Sequence, residues 1–329
     1  MSYLTPMSQL MPRIRNEFYK TTSTEMIDIL SSFSVDAVEN VFLKFEKKKL
    51  NFDEVRKYIF NIPITFAKRM LDFISDWDIK NLIHSYMLAY EFYNLNTLIR
   101  AKLSGYPEKD LFLFDYSTVS SRENILSLES IDQIKALYFE TLSRNKINNK
   151  LLRDTLKTLS LENINDLLVY SSIVYYRKLF ENKTKFGYNL VSLLKIKAFY
   201  EILLMFAKVS FLSGIDIMKY INNVSFLGGD QEVLMNILLP GKESFIKKCI
   251  DYKVIPPNFV IVDLDDIDRF KNTLLKVKCR NLIISNPMDP STTIAMMILR
   301  EIDMKNYFSI IGGIVSGFEF EKVRQLLVL

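Results

Sequence analysis

A single histidine, two cysteines and a few glycine turns are the places where this sequence could do chemistry. An imidazole metal site or a Ser-His-Asp triad would have to rest on His84, the only histidine. No cysteine lies near it in sequence, so it reads as a structural residue inside a helix. Cys249 and Cys279 form no CxxC pair, so neither a zinc ribbon nor a disulfide scaffold follows, and a reducing, intracellular setting is the default. Gly241-Lys242-Glu243-Ser244 hints at a phosphate loop. That loop needs glycine five positions before Gly-Lys and Ser or Thr directly after Lys, but Asn236 and Glu243 stand there. Gly228-Gly229-Asp230 is too short for a dinucleotide fingerprint and reads as a turn before a helix. No catalytic, cofactor-binding or metal-ligating set is expected.

Val260-Ile261-Val262-Asp263-Leu264-Asp265 resembles the opening motif of haloacid-dehalogenase-like phosphatases, where one carboxylate attacks phosphorus and its neighbour serves proton transfer and magnesium. That fold expects the motif near the domain start, with a long α/β chain after it. Here only about sixty residues follow, without a later glycine-aspartate metal loop. Acidic residues opening a helix, where the dipole favours them, are the better account.

The elements that would position such residues are helices. With 49% hydrophobic residues the chain can bury a core, and no proline occurs between Pro107 and Pro240. The expected fold class is all-α. Met1 to Arg15 lacks the layout of a signal peptide. The best span candidate, Leu193 to Leu212, is interrupted by Lys195, Lys197, Glu201 and Lys208, and Phe308 to Phe318 is too short, so no membrane crossing is expected. The 43 basic residues against 38 acidic ones describe a mixed surface rather than a nucleic-acid stripe. Lys44, Lys47, Lys48 and Lys49 read as the last turn of a helix, opposing its dipole.

The chain repeats itself. Ser104-Gly105, Ser213-Gly214 and Ser316-Gly317 are 109 and 103 residues apart, and each closes a helical run where glycine supplies the left-handed stop. The same offsets relate Phe52-Asp53-Glu54-Val55, Leu161-Glu162-Asn163-Ile164 and Leu264-Asp265-Asp266-Ile267, each an acidic helix opener. Three units are expected, 1–113, 114–225 and 226–329, in one continuous body. The long helices should begin at Ser75-Asp76-Trp77-Asp78, at Gly187 and Asn189, and at Asp289 with Pro290 in the first helical position. In the middle one Lys197, Glu201 and Lys208 share a narrow face while Leu193, Phe199, Leu203, Met205 and Phe206 point elsewhere, so neighbours should bury it on several sides. Gly312 and Gly313 weaken the third helix, which suggests close backbone packing or a partner contact.

Glu91-Phe92-Tyr93-Asn94-Leu95-Asn96-Thr97-Leu98-Ile99-Arg100-Ala101-Lys102-Leu103-Ser104-Gly105 carries an acidic residue, Asn three on, and Gly eleven after that. Asp303, Asn306 and Gly317 repeat it, and Phe226-Leu227-Gly228-Gly229-Asp230 would open the third unit. The pattern resembles the central-stalk adaptor family of archaeal-type and V-type rotary ATPases, lettered C in archaea and d in eukaryotes. Tyr200 and Leu203 depart from it in the middle unit, and Gly312 replaces Arg100 in the third.

The resemblance implies three helical units arranged as a funnel around a pseudo-threefold axis. One side would sit on the proteolipid (c-type) ring and the hollow would receive the rotor shaft. Such an adaptor is non-catalytic, transmits torque, needs no cofactor, and is peripheral to the cytoplasmic face of the membrane through protein contacts. Arg100, Lys102 and Lys208 are the expected contacts with shaft or ring, close to the turns at Ser104, Gly105, Ser213, Gly214, Ser316 and Gly317. Two other classes compete. A scaffold of helical repeats for soluble partners would show more repeats of about 34 to 47 residues. A nucleic-acid binder would concentrate its basic residues on one face.

Overall fold

The computed structural model describes residues 52–107, 111–119, 122–181, 187–259, 261 and 263–328, with isolated positions among the first 51. The lysine cluster Lys44, Lys47, Lys48 and Lys49 lies outside the described residues, as do Val260 and Val262. The fold is all-α, and no strand occurs among the described residues. The helices are α1 (Phe52–Phe60), α2 (Ile62–Phe73), α3 (Trp77–Ser104), α4 (Arg122–Leu126), α5 (Ile131–Arg144), α6 (Lys150–Lys157) and α7 (Ile164–Glu181). There follow α8 (Gly187–Ser213), α9 (Met218–Ile221), a 3-10 turn (Asn222–Leu227), α10 (Asp230–Leu238), α11 (Lys242–Asp251), α12 (Leu264–Ser285), α13 (Ser291–Ser316) and α14 (Phe320–Arg324).

Local chemistry sets where these helices begin. The Asp76 carboxylate accepts from the Ile79 amide at 2.9 Å and caps α3. Ser130 and Gln133 form a reciprocal capping box on α5. Asp263 accepts from the amides of Asp265 and Asp266 at 2.9 and 3.0 Å, while Asp266 accepts from the Asp263 amide at 3.4 Å. The Asp-x-Asp run is therefore the cap of α12. Asp289 and Pro290 do not take the expected places. The helix α13 starts at Ser291, with Pro290 as its N-cap and no side-chain cap bond. Asp289, one residue earlier, accepts from the Ser291 amide at 2.8 Å in the turn before α13. The acidic openers keep register at Phe52 and Leu264, but α7 starts at Ile164, three residues after Leu161. There Asn163 is occupied by the preceding loop, accepting from the Ser160 amide at 2.8 Å.

The three long helices α3, α8 and α13 have 28, 27 and 26 residues, about 39 to 42 Å at 1.5 Å per residue. All three end on Ser followed by a left-handed glycine, with φ of +69° at Gly105, +66° at Gly214 and +66° at Gly317. A side chain at that φ would crowd the carbonyl, which is why glycine stands there. The amide after the glycine bonds back five residues in α3 (Tyr106 to Ala101, 2.9 Å) and in α13 (Phe318 to Gly313, 3.0 Å). In α8 the corresponding bond reaches back six, from Ile215 to Val209 at 3.5 Å.

The chain divides into two compact units, Met1–Ile83 with Asn272–Leu329, and His84–Lys271. Packing and sequence repetition thus partition the chain differently. In the first unit α13 lies against α1, α2 and α14 around Val55, Ile59, Ile310, Ile311 and Val323. Phe60 meets the Phe308 ring edge-on, centroids 5.9 Å apart. Ile294 through Leu299 are all buried, and six consecutive residues sweep the full circumference of a helix. Such a helix needs no polar face, and α13 shows none there.

In the second unit α7 packs against α6 and α8. Leu194, Ala198, Ile202, Leu203 and Phe206 of α8 are buried, and Phe92 stacks on Tyr138 at 5.4 Å. No helix of the described residues is long and apolar enough to cross a membrane.

Candidate functional site

Asn94 shows how the acidic-Asn pattern is used. Its amide nitrogen donates to the carbonyls of Phe114 (2.9 Å) and Tyr116 (3.2 Å), and its oxygen accepts from the Phe114 amide at 2.8 Å. The irregular segment 111–119 therefore borrows from α3 the hydrogen bonds it cannot make within itself. Three residues earlier, the buried Glu91 carboxylate accepts from Ser117 Oγ (2.8 Å), the Thr118 amide (3.0 Å), Thr118 Oγ1 (2.8 Å) and Thr141 Oγ1 (3.1 Å). Burial first, then the Glu91 charge, pushes the Tyr116 phenol above its ordinary value. His84 is exposed and lies 3.3 Å from the Tyr116 hydroxyl through Nδ1.

Asn306 repeats the clasp in the other unit. It donates to the Val328 carbonyl and accepts from the Val328 amide, both at 3.0 Å. Lys276 adds a bond to the same carbonyl at 2.9 Å, and Arg300 pairs with Asp303 at 3.1 Å, all buried. Burial, with Arg280 nearby, lowers the Lys276 ammonium to about 8 despite Asp303. In the middle helix Leu203 is simply core, and Tyr200 donates to the Val254 carbonyl at 2.5 Å.

Between α3, α7 and α8, within His84–Lys271, lies an open cleft of about 360 Å³. Phe92, Tyr93, Tyr175, Ile202 and Met205 give it apolar walls, Asn96, Ser171 and Ser172 polar ones, and Arg100 stands in its lining. Tyr176 and Glu201 close one side. Behind them Lys197 pairs with Glu201 at 2.7 Å, Lys271 with Glu201 at 3.6 Å, and Lys271 with Asp268 at 2.5 Å. The Tyr176 hydroxyl donates to the Glu201 carboxylate. Burial alone would raise the Glu201 carboxyl, but Lys197, Lys271 and these hydrogen bonds outweigh it and hold the group at about 2. Burial, then the Glu201 charge, drives the Tyr176 phenol well above its ordinary value. The Lys197–Glu201 face is thus turned inward: both lysines of the cluster are buried, and only Lys208 of the narrow polar face is exposed.

Arg100 is the one sequence-selected cation that lines the cleft; Lys208 is exposed on α8 and Lys102 half-buried on α3. Ser104, Gly105, Ser213, Gly214, Ser316 and Gly317 are all exposed turns. Ser104 donates to the Arg100 carbonyl at 2.7 Å, and Asn165 Nδ2 reaches Ser213 Oγ at 3.3 Å. Gly312 is exposed and a Cβ there would meet nothing within 4 Å among the described residues, so packing against them does not explain this glycine. Cys249 and Cys279 are buried, and burial pushes the Cys249 thiol up to about 12. No group of three potential metal ligands occurs among the described residues. The residues that sequence reasoning missed are Tyr176, Lys271 and Asp268, whose pairing with Glu201 no local spacing announces.

No protein-family model and no curated protein matches the chain.

Proposed function

We propose that this chain is the non-catalytic central-stalk adaptor of an archaeal-type or V-type rotary ATPase, joining rotor shaft to proteolipid ring and passing torque between them. On this reading the units 1–113, 114–225 and 226–329 form a funnel about a pseudo-threefold axis. The protein would sit on the cytoplasmic face of the membrane, held there by protein contacts.

One observation carries the reading beyond the sequence resemblance. Three helices of 28, 27 and 26 residues end on the same Ser and left-handed Gly, spaced 109 and 103 residues apart. The first and third share both the return bond and the Asn clasp. Helices buried on several sides resist bending, which suits a body that carries torque. The exposed turns leave Arg100, Lys208 and the Ser-Gly pairs accessible to partners.

The test is affinity purification of the tagged chain from gently detergent-solubilised source membranes, with partners identified by mass spectrometry. Co-purification of proteolipid and rotor-shaft proteins is the expected result. Recovery of soluble proteins alone would replace the adaptor with a helical scaffold for soluble partners.

A further inference from the structure

We infer that a small hollow between the α5–α6 turn and α7 binds a phosphate-sized oxyanion, as inorganic phosphate or as the phosphate group of a monoester. The hollow lies within His84–Lys271 and measures about 60 Å³, which admits a group of a few heavy atoms and excludes a nucleoside. Lys146, Asn148 and Asn149 line it from the turn, and Arg177, Lys178 and Glu181 line it from the last turn of α7.

Charge chooses the ligand. Three cations against one carboxylate leave a surplus of two positive charges in the lining. Lys178 already pairs with Glu181 at 2.9 Å, whereas Lys146 and Arg177 form no ion pair among the described residues. Arg177 is half-buried and anchored: its Nη2 donates to the Asn223 carbonyl at 2.8 Å, which fixes the guanidinium and leaves its other N–H groups for a second acceptor. Asn149 commits its side-chain oxygen to the Leu152 amide at 2.9 Å, so its remaining hydrogen-bonding group is a donor. Such a lining suits an oxyanion that accepts several hydrogen bonds at once.

Lys146 stands there at a cost. Its φ of +53° is left-handed, at the end of α5 where glycine is the unstrained choice. Lys253 follows α11 in the same way, with φ of +56°, and does not line the hollow. Both turns make the same return bond, Ile147 amide to Leu142 carbonyl at 2.8 Å and Val254 amide to Cys249 carbonyl at 2.9 Å. A lysine kept only for the helix dipole would behave alike at both positions, and one kept for an anion would not.

The experiment compares thermal unfolding of the full chain in about 20 mM phosphate and in sodium chloride of equal ionic strength. Phosphate should raise the midpoint by about 2–5 °C. Lys146→Gly should raise the midpoint in chloride by about 1–3 °C and lose most of the phosphate increment. Lys253→Gly should show the same gain in chloride and keep the increment. Arg177→Gln should lose the increment, and Glu181→Gln should enlarge it. Glycerol phosphate at equal concentration separates the sources: a larger increment than with inorganic phosphate assigns a monoester, and an equal or smaller one assigns free phosphate.

No increment over chloride overturns the inference. An increment that Lys146→Gly and Arg177→Gln leave unchanged marks an adventitious ion only and overturns it as well.

Discussion

Asn94 and Asn306 stand 212 residues apart and perform the same act, each gripping both the amide and the carbonyl of one residue in an irregular segment, Phe114 and Val328 respectively. The separation equals the two repeat offsets together. A buried asparagine satisfied on both sides is costly to replace, because its backbone partners lose water as well as amide.

Asn94→Ala and Asn306→Ala should each destabilise the chain by about 2–3 kcal/mol. The reverse change in the middle helix, Leu203→Asn, buries an amide among apolar side chains and should cost a comparable amount. Urea denaturation reads all three as a lower midpoint at constant slope.

Glu201 titrates at about 2 in the folded chain against an ordinary 4.5. Its contribution is therefore complete above pH 4.5 and is lost as pH falls towards 2. Glu201→Gln should lower stability at neutral pH by about 2–3 kcal/mol, less than for a fully buried pair because the side chain is 32% exposed. The variant should also show a shallower decline between pH 4.5 and 2 than the parent.

Lys276 also makes stability rise with pH, at higher pH and for a different reason, since folding here disfavours the charged form. Its folded value of about 8 lies below the ordinary 10.5, so between those limits the unfolded chain holds more protons and stability rises with pH. Comparing denaturation midpoints of the parent and Lys276→Met from pH 7.5 to 10.5 isolates that rise, which the variant should lack.

Gly317 and Gly312, five residues apart, should respond oppositely to alanine. Gly317→Ala forces a left-handed φ of +66° and should cost about 1 kcal/mol. Gly312→Ala adds a methyl in open space within a helix and should stabilise by about 0.5–1 kcal/mol. If Gly312 is kept glycine for a partner's sake, the stabilised variant should purify with less of that partner.

Much of this fold could be read from local chemistry. The proline-free stretch, the caps at Asp76 and Asp263, and the Ser-Gly stops each act within a few residues, so spacing alone reveals them, whereas Asp289 turns out to lie one residue ahead of the N-cap Pro290. What Lys197 and Glu201 face was hidden, because a helical wheel shows which residues share a side but not what lies opposite. Lys271 is 70 residues beyond Glu201, and that pairing exists only once α8 and α12 meet. Asn94 was conspicuous in the pattern, yet Phe114 sits in a segment without periodicity and gave no sign of being its partner. The cleft is hidden from the sequence for a related reason: Arg100 is visible as a cation, while the other lining residues come from helices far apart in sequence.

The two asparagine clasps also mark time. Backbone amides in irregular segments normally exchange their hydrogens with water quickly, whereas those of Phe114 and Val328 are each held by a buried side chain. In a deuterium-exchange record they would be two slow positions within fast surroundings, in separate compact units. Each would report the opening of its own unit, so one experiment could tell whether the two units loosen together or one ahead of the other.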